Sequence, residues 1–138
     1  MPYKIDYLED EGGVITTYWG ELTDAEFVEC TEAKFVSLDD HSHYRFSISD
    51  FSAVTTLSVS PDALKSNAHM SGYALDTIQN GYMAVVVNKD LIYGISRMWK
   101  ANTGNLDDRI GIFRTREEAD AWIETKLAAD DATTDTAL

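Results

Sequence analysis

The sequence predicts an α/β domain: a mixed β-sheet that opens with a hairpin and continues with helices and strands in alternation. Three observations carry this. Residues 44–54 read YRFSISDFSAV, with Tyr44, Phe46, Ile48 and Asp50 at one set of alternate positions and Arg45, Ser47, Ser49 and Phe51 at the other, the period of a strand with one apolar face. Residues 82–87, YMAVVV, form a nearly unbroken apolar run, as in a strand covered on both faces. Helix-start chemistry recurs between such runs: Thr23 with Glu26, Ser60 with Pro61 and Asp62, and Thr115 with Glu118.

Taken in order, Tyr3 to Leu8 alternates as a first, edge strand. Glu11-Gly12-Gly13 is a turn, and Val14 to Trp19 is β-branched and aromatic, so the two strands form a hairpin closed by Gly20. A helix opens at Thr23, turns Leu22, Phe27 and Cys30 inward, and fades between Lys34 and Leu38. Asp39 to His43 is a polar loop into the central strand, which the pattern ends at Asp50-Phe51-Ser52. Thr55 to Val59 reads as a connector. A second helix starts at Ser60-Pro61-Asp62, buries Leu64, Ala68, Tyr73 or Leu75, and Ile78, and is weakened at Gly72. After the YMAVVV strand, Leu91 to Lys100 is a helix with Ile92, Ile95 and Trp99 stacked. Asn102 to Asn105 is a loop, Arg109 to Phe113 a last strand, and Thr115 opens a final helix with Ala119, Trp122, Ile123 and Leu127 as its stripe. Trp19, Trp99 and Trp122 all read as core residues. One domain over 1–128 is expected, with an acidic, frayed tail over 129–138.

With 138 residues and 44% hydrophobic content, a single domain can bury a sizeable core. The formal charge of −13 argues against a nucleic-acid face or an anionic membrane surface, both of which demand Lys and Arg. No secretory leader or bilayer-length apolar run is visible, so the cytoplasm is the expected compartment. Cys30, the one cysteine, stands among acids that disfavour its thiolate and is read as packed.

Several residues are candidates for chemistry. Asp50, at the expected strand end, is either a site acid or a turn former accepting local backbone hydrogen bonds. Ser47, Ser49, Ser52, Thr55, Thr56, Ser58 and Ser60 make a hydroxyl-rich run with no nucleophile-elbow pattern. A phosphate on Ser58 or Ser60 would sit at a helix N-terminus, where free N–H groups stabilise negative charge. Residues 1–60 carry 12 acids against 3 bases, and residues 61–138 carry 12 against 8. The bases include Arg97, Lys100, Arg109, Arg114 and Arg116, a cluster that can receive an anion or pair internally with Asp107, Asp108 and Glu118. His41 and His43 are weak metal candidates that need a third ligand from Asp39, Asp40 or His69. No metal site and no cofactor is predicted.

The strand ending in Asp-Phe-Ser, the AVVV run, YGISRMW at 93–99 and FRTREEADAWI at 113–123 together resemble the SpoIIAA-like proteins. These belong to the STAS-like group, named after sulfate transporters and anti-anti-sigma factors, and the resemblance spans residues 3 to 127. It implies a mixed sheet flanked by helices in a bacterial protein with a non-enzymatic binding role. In anti-anti-sigma factors a serine just after the central strand, in an Asp-Ser-Ser-Gly-type motif, is phosphorylated by an anti-sigma kinase. The matching region here is Thr56 to Pro61, which lacks that motif; Ser58 is the best positional match and Ser60 the second.

The expected function is therefore a non-enzymatic cytoplasmic protein-binding or regulatory domain. Its partner surface would comprise Asp50, Ser52, Ser58, Ser60, Arg97, Lys100 and Arg114, and its partner would be an unidentified protein or a second copy. One alternative is binding or turnover of a small anionic ligand by Asp50 with the Arg97/Arg114 cluster. Another is a structural homo-oligomerisation module.

Overall fold

The computed structural model describes residues 2–36, 44–77, 81–103 and 108–137. Strands β1 (Tyr3–Leu8) and β2 (Gly13–Thr23) form an antiparallel hairpin. Then follow α1 (Asp24–Val36), β3 (Phe46–Ser58), α2 (Pro61–Thr77), β4 (Tyr82–Val86), α3 (Asp90–Ala101), β5 (Ile110–Phe113) and α4 (Arg116–Ala137). The sheet order is β1-β2-β3-β4-β5, parallel everywhere except the β1–β2 pair. The expected mixed sheet and element order are both present.

Parallel neighbours taken in sequence order need right-handed crossovers, which put the connecting helices on one face. Met83, Val85 and Val87 of β4 and its exit accordingly join Phe27 and Cys30 of α1, Ala68 and Leu75 of α2, and Ile92 and Trp99 of α3 in one core. The opposite parity, Ala84 and Val86 of β4 with Ile48 of β3, packs under Ala119 and Ile123 of α4. The apolar run of β4 is thus explained: both its faces are covered.

The three helices of the first face are tied together by one buried amide. Asn67 of α2 donates from Nδ2 to Thr31 Oγ1 of α1 at 2.8 Å, and its Oδ1 accepts the indole N–H of Trp99 of α3 at 2.7 Å. Thr31 in turn donates to the Phe27 carbonyl at 2.8 Å. Asn67, Thr31 and Trp99 are all buried, so each of these groups would be costly to leave unpaired.

Several expectations are corrected. Gly20 does not close β2. Its φ of +67° makes an irregularity between Gly20 and Glu21 in the pairing with β3, and the strand runs on to Thr23. Likewise, Thr55 to Ser58 is not a connector, because β3 continues through Val54, Thr55 and Thr56 and pairs with β2 as far as Thr23–Ser58. Asp50 is therefore inside the strand, at its last pairing with β4. Gly72 does not interrupt α2. Trp19 is 41% exposed, because alternation along β2 puts Thr16, Tyr18 and Leu22 on the buried helix-covered face and Trp19 on the other. The final helix passes residue 128: Tyr82 donates its hydroxyl to Asp130 at 2.8 Å, and Arg45 pairs with Asp131 at 2.9 Å. Ile78, Asn80 and residues 104–107 lie outside the described residues.

Replacing Asn67 with Leu orphans the Trp99 indole N–H, and we expect a loss of roughly 2–4 kcal/mol in urea unfolding, against under about 1 kcal/mol for Ser71→Ala. Alkaline behaviour supplies a second check. The Glu29 hydrogen bond, then burial, push the Tyr3 hydroxyl up to about 12. Burial, then the Glu9 hydrogen bond, push Tyr44 up to about 12. Both groups bind their protons more tightly folded than unfolded. The stability they contribute is complete below their ordinary value of 10.0 and is lost as pH rises through the folded values. Tyrosinate absorbance from these two residues should appear near pH 12 or together with loss of the circular dichroism signal. Their full ionisation around the ordinary tyrosine value in a folded chain would contradict the Glu9 and Glu29 contacts.

Candidate partner-binding site

Two helices begin side by side where β2 and β3 end. Thr23 and Ser58 are the last paired residues of the two strands, and α1 and α2 start within a few residues of them. Thr23 donates from both its N–H and its hydroxyl to Glu26 at 3.1 Å, which is the backward arm of a capping box. Ser60 caps α2 by accepting the Ala63 N–H at 3.2 Å, with Pro61 at the first helical position where a missing N–H costs nothing. Asp24, the first residue of α1, accepts the Ser60 N–H at 2.5 Å. The two helix starts are thereby locked to each other.

This arrangement separates the two candidate serines. Ser60 is half-buried and engaged through both its N–H and its hydroxyl. Ser58 is exposed at the tip of β3, beside the N-terminus of α2. Asp24 and Glu26 lie in the first turn of α1 and Asp62 in the first turn of α2, where acids complement the helix N-termini.

The other candidate residues are dispersed. The Asp50 carboxylate accepts the Ser52 N–H at 2.9 Å and the Ser52 hydroxyl at 2.5 Å, and the Ser52 carbonyl accepts from Asn88 at 3.0 Å. Lys89 donates to the Thr55 carbonyl at 3.1 Å. Side chains of the β4–α3 turn thus cover part of the β3 edge that β4 leaves unpaired. Arg114 pairs with Asp90 at 2.8 Å and lies 4.2 Å from the centre of the Tyr93 ring. Arg97 stands exposed about two turns along α3 from Asp90, and Lys100 is half-buried near the helix end. His41 and His43 lie outside the described residues, and among the described residues no group of three metal-type ligands converges.

A cavity of about 40 Å³ lies between the sheet and the helices, lined by residues including Tyr18, Ser49, Phe51, Asn67, Ser96 and Trp99. Its lining includes neither Asp50 nor Arg97, and its volume suits a few waters. Tyr18 stacks on Phe51 with centroids 4.4 Å apart. Burial raises its hydroxyl well above the usual tyrosine value, and it accepts the Cys30 thiol at 3.5 Å.

Sequence patterning missed two features. Asp24 reads as an ordinary first-turn acid, yet it reaches across 36 positions to Ser60. Leu91 and Met98, 77% and 71% exposed, lie seven apart on the outward side of α3, a spacing that could have flagged them.

No family model matches the chain, and no curated protein matches it at a significant level. Solved structures do. The anti-sigma factor antagonist SpoIIAA in its unphosphorylated form superposes with a TM-score of 0.60 at 9% identity, over 84% of this chain and 91% of that one. The Bacillus cell fate determinant SpoIIAA in its phosphorylated form gives 0.55 at 12%, over 85% and 95%. The chain has the SpoIIAA-like, STAS-type fold. No helix among the described residues is long and apolar enough to cross a membrane.

Removing the cap with Ser60→Ala should cost about 1 kcal/mol in chemical denaturation. Ser58→Ala, whose hydroxyl caps no helix, should stay within about 0.5 kcal/mol of wild type. Equal losses at the two positions would contradict the capping geometry.

Proposed function

We propose that the chain is a non-enzymatic regulatory domain that binds a partner protein through the β3–α2 junction, with Ser58 as its phosphoacceptor. The observation that carries this is the contrast between the serines: Ser58 is exposed at the strand tip, whereas the Ser60 hydroxyl is occupied as a helix cap. The shared fold supports the reading, since SpoIIAA is described as an anti-sigma factor antagonist and is solved in both phosphorylated and unphosphorylated forms.

A phosphate on Ser58 would add roughly two negative charges to a junction that already holds Asp24, Glu26 and Asp62. A partner that docks on the unmodified junction would meet that added charge and a larger side chain. Phosphorylation would then act by repulsion and steric exclusion, with no rearrangement of the sheet.

The test is phosphosite mapping of the protein from its native cells, together with partner capture by wild type, Ser58→Ala and Ser58→Asp. The expected outcome is phosphate on Ser58 and not Ser60. One specific partner should bind wild type and Ser58→Ala, with at least about a tenfold loss of affinity in Ser58→Asp. An unmodified Ser58 together with identical partner binding by all three forms would sink the proposal.

A further inference from the structure

We infer that the outer face of the α1–α2–α3 layer joins a second copy of this chain across a two-fold axis running along α2. The starting point is α3. Leu91 and Met98 are 77% and 71% exposed, and Gly94 between them is exposed, with nothing within 4 Å of where a Cβ would stand. The result is a notch between two large apolar side chains. At 100° per residue these positions fall on the side of α3 away from Tyr93. Tyr93 is held under Arg114 just beyond β5; opposite the buried Ile92, Ser96 and Trp99, Gly94 therefore stands on the outer crest of α3, with Leu91 and Met98 on the flank of that crest away from Tyr93.

The complement is on α1. Glu29 accepts the Tyr3 hydroxyl of β1 at 2.8 Å, which fixes one side of α1 toward the hairpin. Val28, 42% exposed, lies on the other side, toward α2, and the exposed Glu32 stands near the crest. Asn67 bonds Thr31 and Trp99 at once, so α1 and α3 stand at the same height through those two residues. An axis along α2 lays α1 of each copy over α3 of the other with heights preserved. Val28 then meets the Gly94 notch beside Met98, and Glu32 meets Arg97.

Charge points the same way. The chain is −13 overall, yet Lys89, Arg97, Lys100 and Arg114 gather on or beside α3, out of 11 Lys and Arg in all, against the single acid of that helix, Asp90, which Arg114 pairs. The exposed acids Glu29 and Glu32 are on α1. A layer acidic along one side and basic along the other is self-complementary under a two-fold, and the two identical contacts close the assembly. An anionic bilayer would instead face the repulsion of the whole molecule.

The layer measures about 20 Å by about 30 Å, or roughly 600 Å² per copy, at the low end for a specific interface. A weak, reversible dimer is expected. Its surface leaves the Ser58 end of the layer open, so the inference stands or falls independently of the phosphoacceptor reading.

Sedimentation equilibrium of the full chain from about 5 to about 200 μM should show a monomer–dimer equilibrium with a dissociation constant of tens of μM. Met98→Glu and Leu91→Lys, at exposed positions that should leave the thermal melt unchanged, should each abolish the dimer. Arg97→Glu and Glu32→Arg should each weaken it at least about fivefold, and the double variant should return to within about twofold of wild type. A wild type that stays monomeric throughout overturns the proposal, as does one that binds phosphatidylserine vesicles as a monomer. A dimer indifferent to both Met98→Glu and Leu91→Lys, or unrestored in the charge-swapped double variant, also overturns it.

Discussion

Three helices of different lengths meet at the Asn67 amide, and the arrangement of the helical face depends on it. Apolar contact alone fixes a helix against a sheet only loosely, because hydrophobic burial is non-directional. The Asn67 side chain adds direction. Its donor is used by Thr31 and its acceptor by Trp99, so sliding α1 or α3 along the sheet by one turn would break a buried hydrogen bond. At buried groups such a loss outweighs most packing gains. The relative heights of α1, α2 and α3 follow, and with them the surface that the layer presents.

A second constraint acts at the C-terminal ends of β2 and β3. The pairing of β3 with β4 stops at Asp50, yet its pairing with β2 continues to Ser58. The extra length is made by irregular pairing near Gly20 and by local acceptance of the Ser52 N–H at Asp50. It carries Ser58 past the end of β4 and delivers two helix starts to one place, where Asp24 bridges them. The junction is thus exposed and braced at the same time: a rigid support beneath an accessible side chain.

Element types were legible wherever local chemistry and periodicity agree. The hairpin, the β4 run, the cap at Ser60 and the stripe of α4 all follow from spacing or from caps that operate within a few residues. Extents were less legible. Gly20 and Asp50 carry the composition of strand ends, but whether a strand stops there depends on a neighbour supplying hydrogen bonds beyond that point. That neighbour is the other long strand, more than 30 positions away. The acidic stretch after residue 128 offers no stripe to read, and it is held through Tyr82 and Arg45 from the sheet.

By itself the sequence determined the order of strands and helices, which of them are buried on both sides, and the capping of α2, because these are set by neighbours along the chain. Tertiary structure alone decided which serine is free, since Asp24 and Ala63 engage Ser60 and leave Ser58 at the strand tip. It likewise decided that Arg114 is drawn to Asp90 and the Tyr93 ring. These outcomes depend on the heights and rotations of packed elements, which side-chain contacts between distant segments set and no local pattern records.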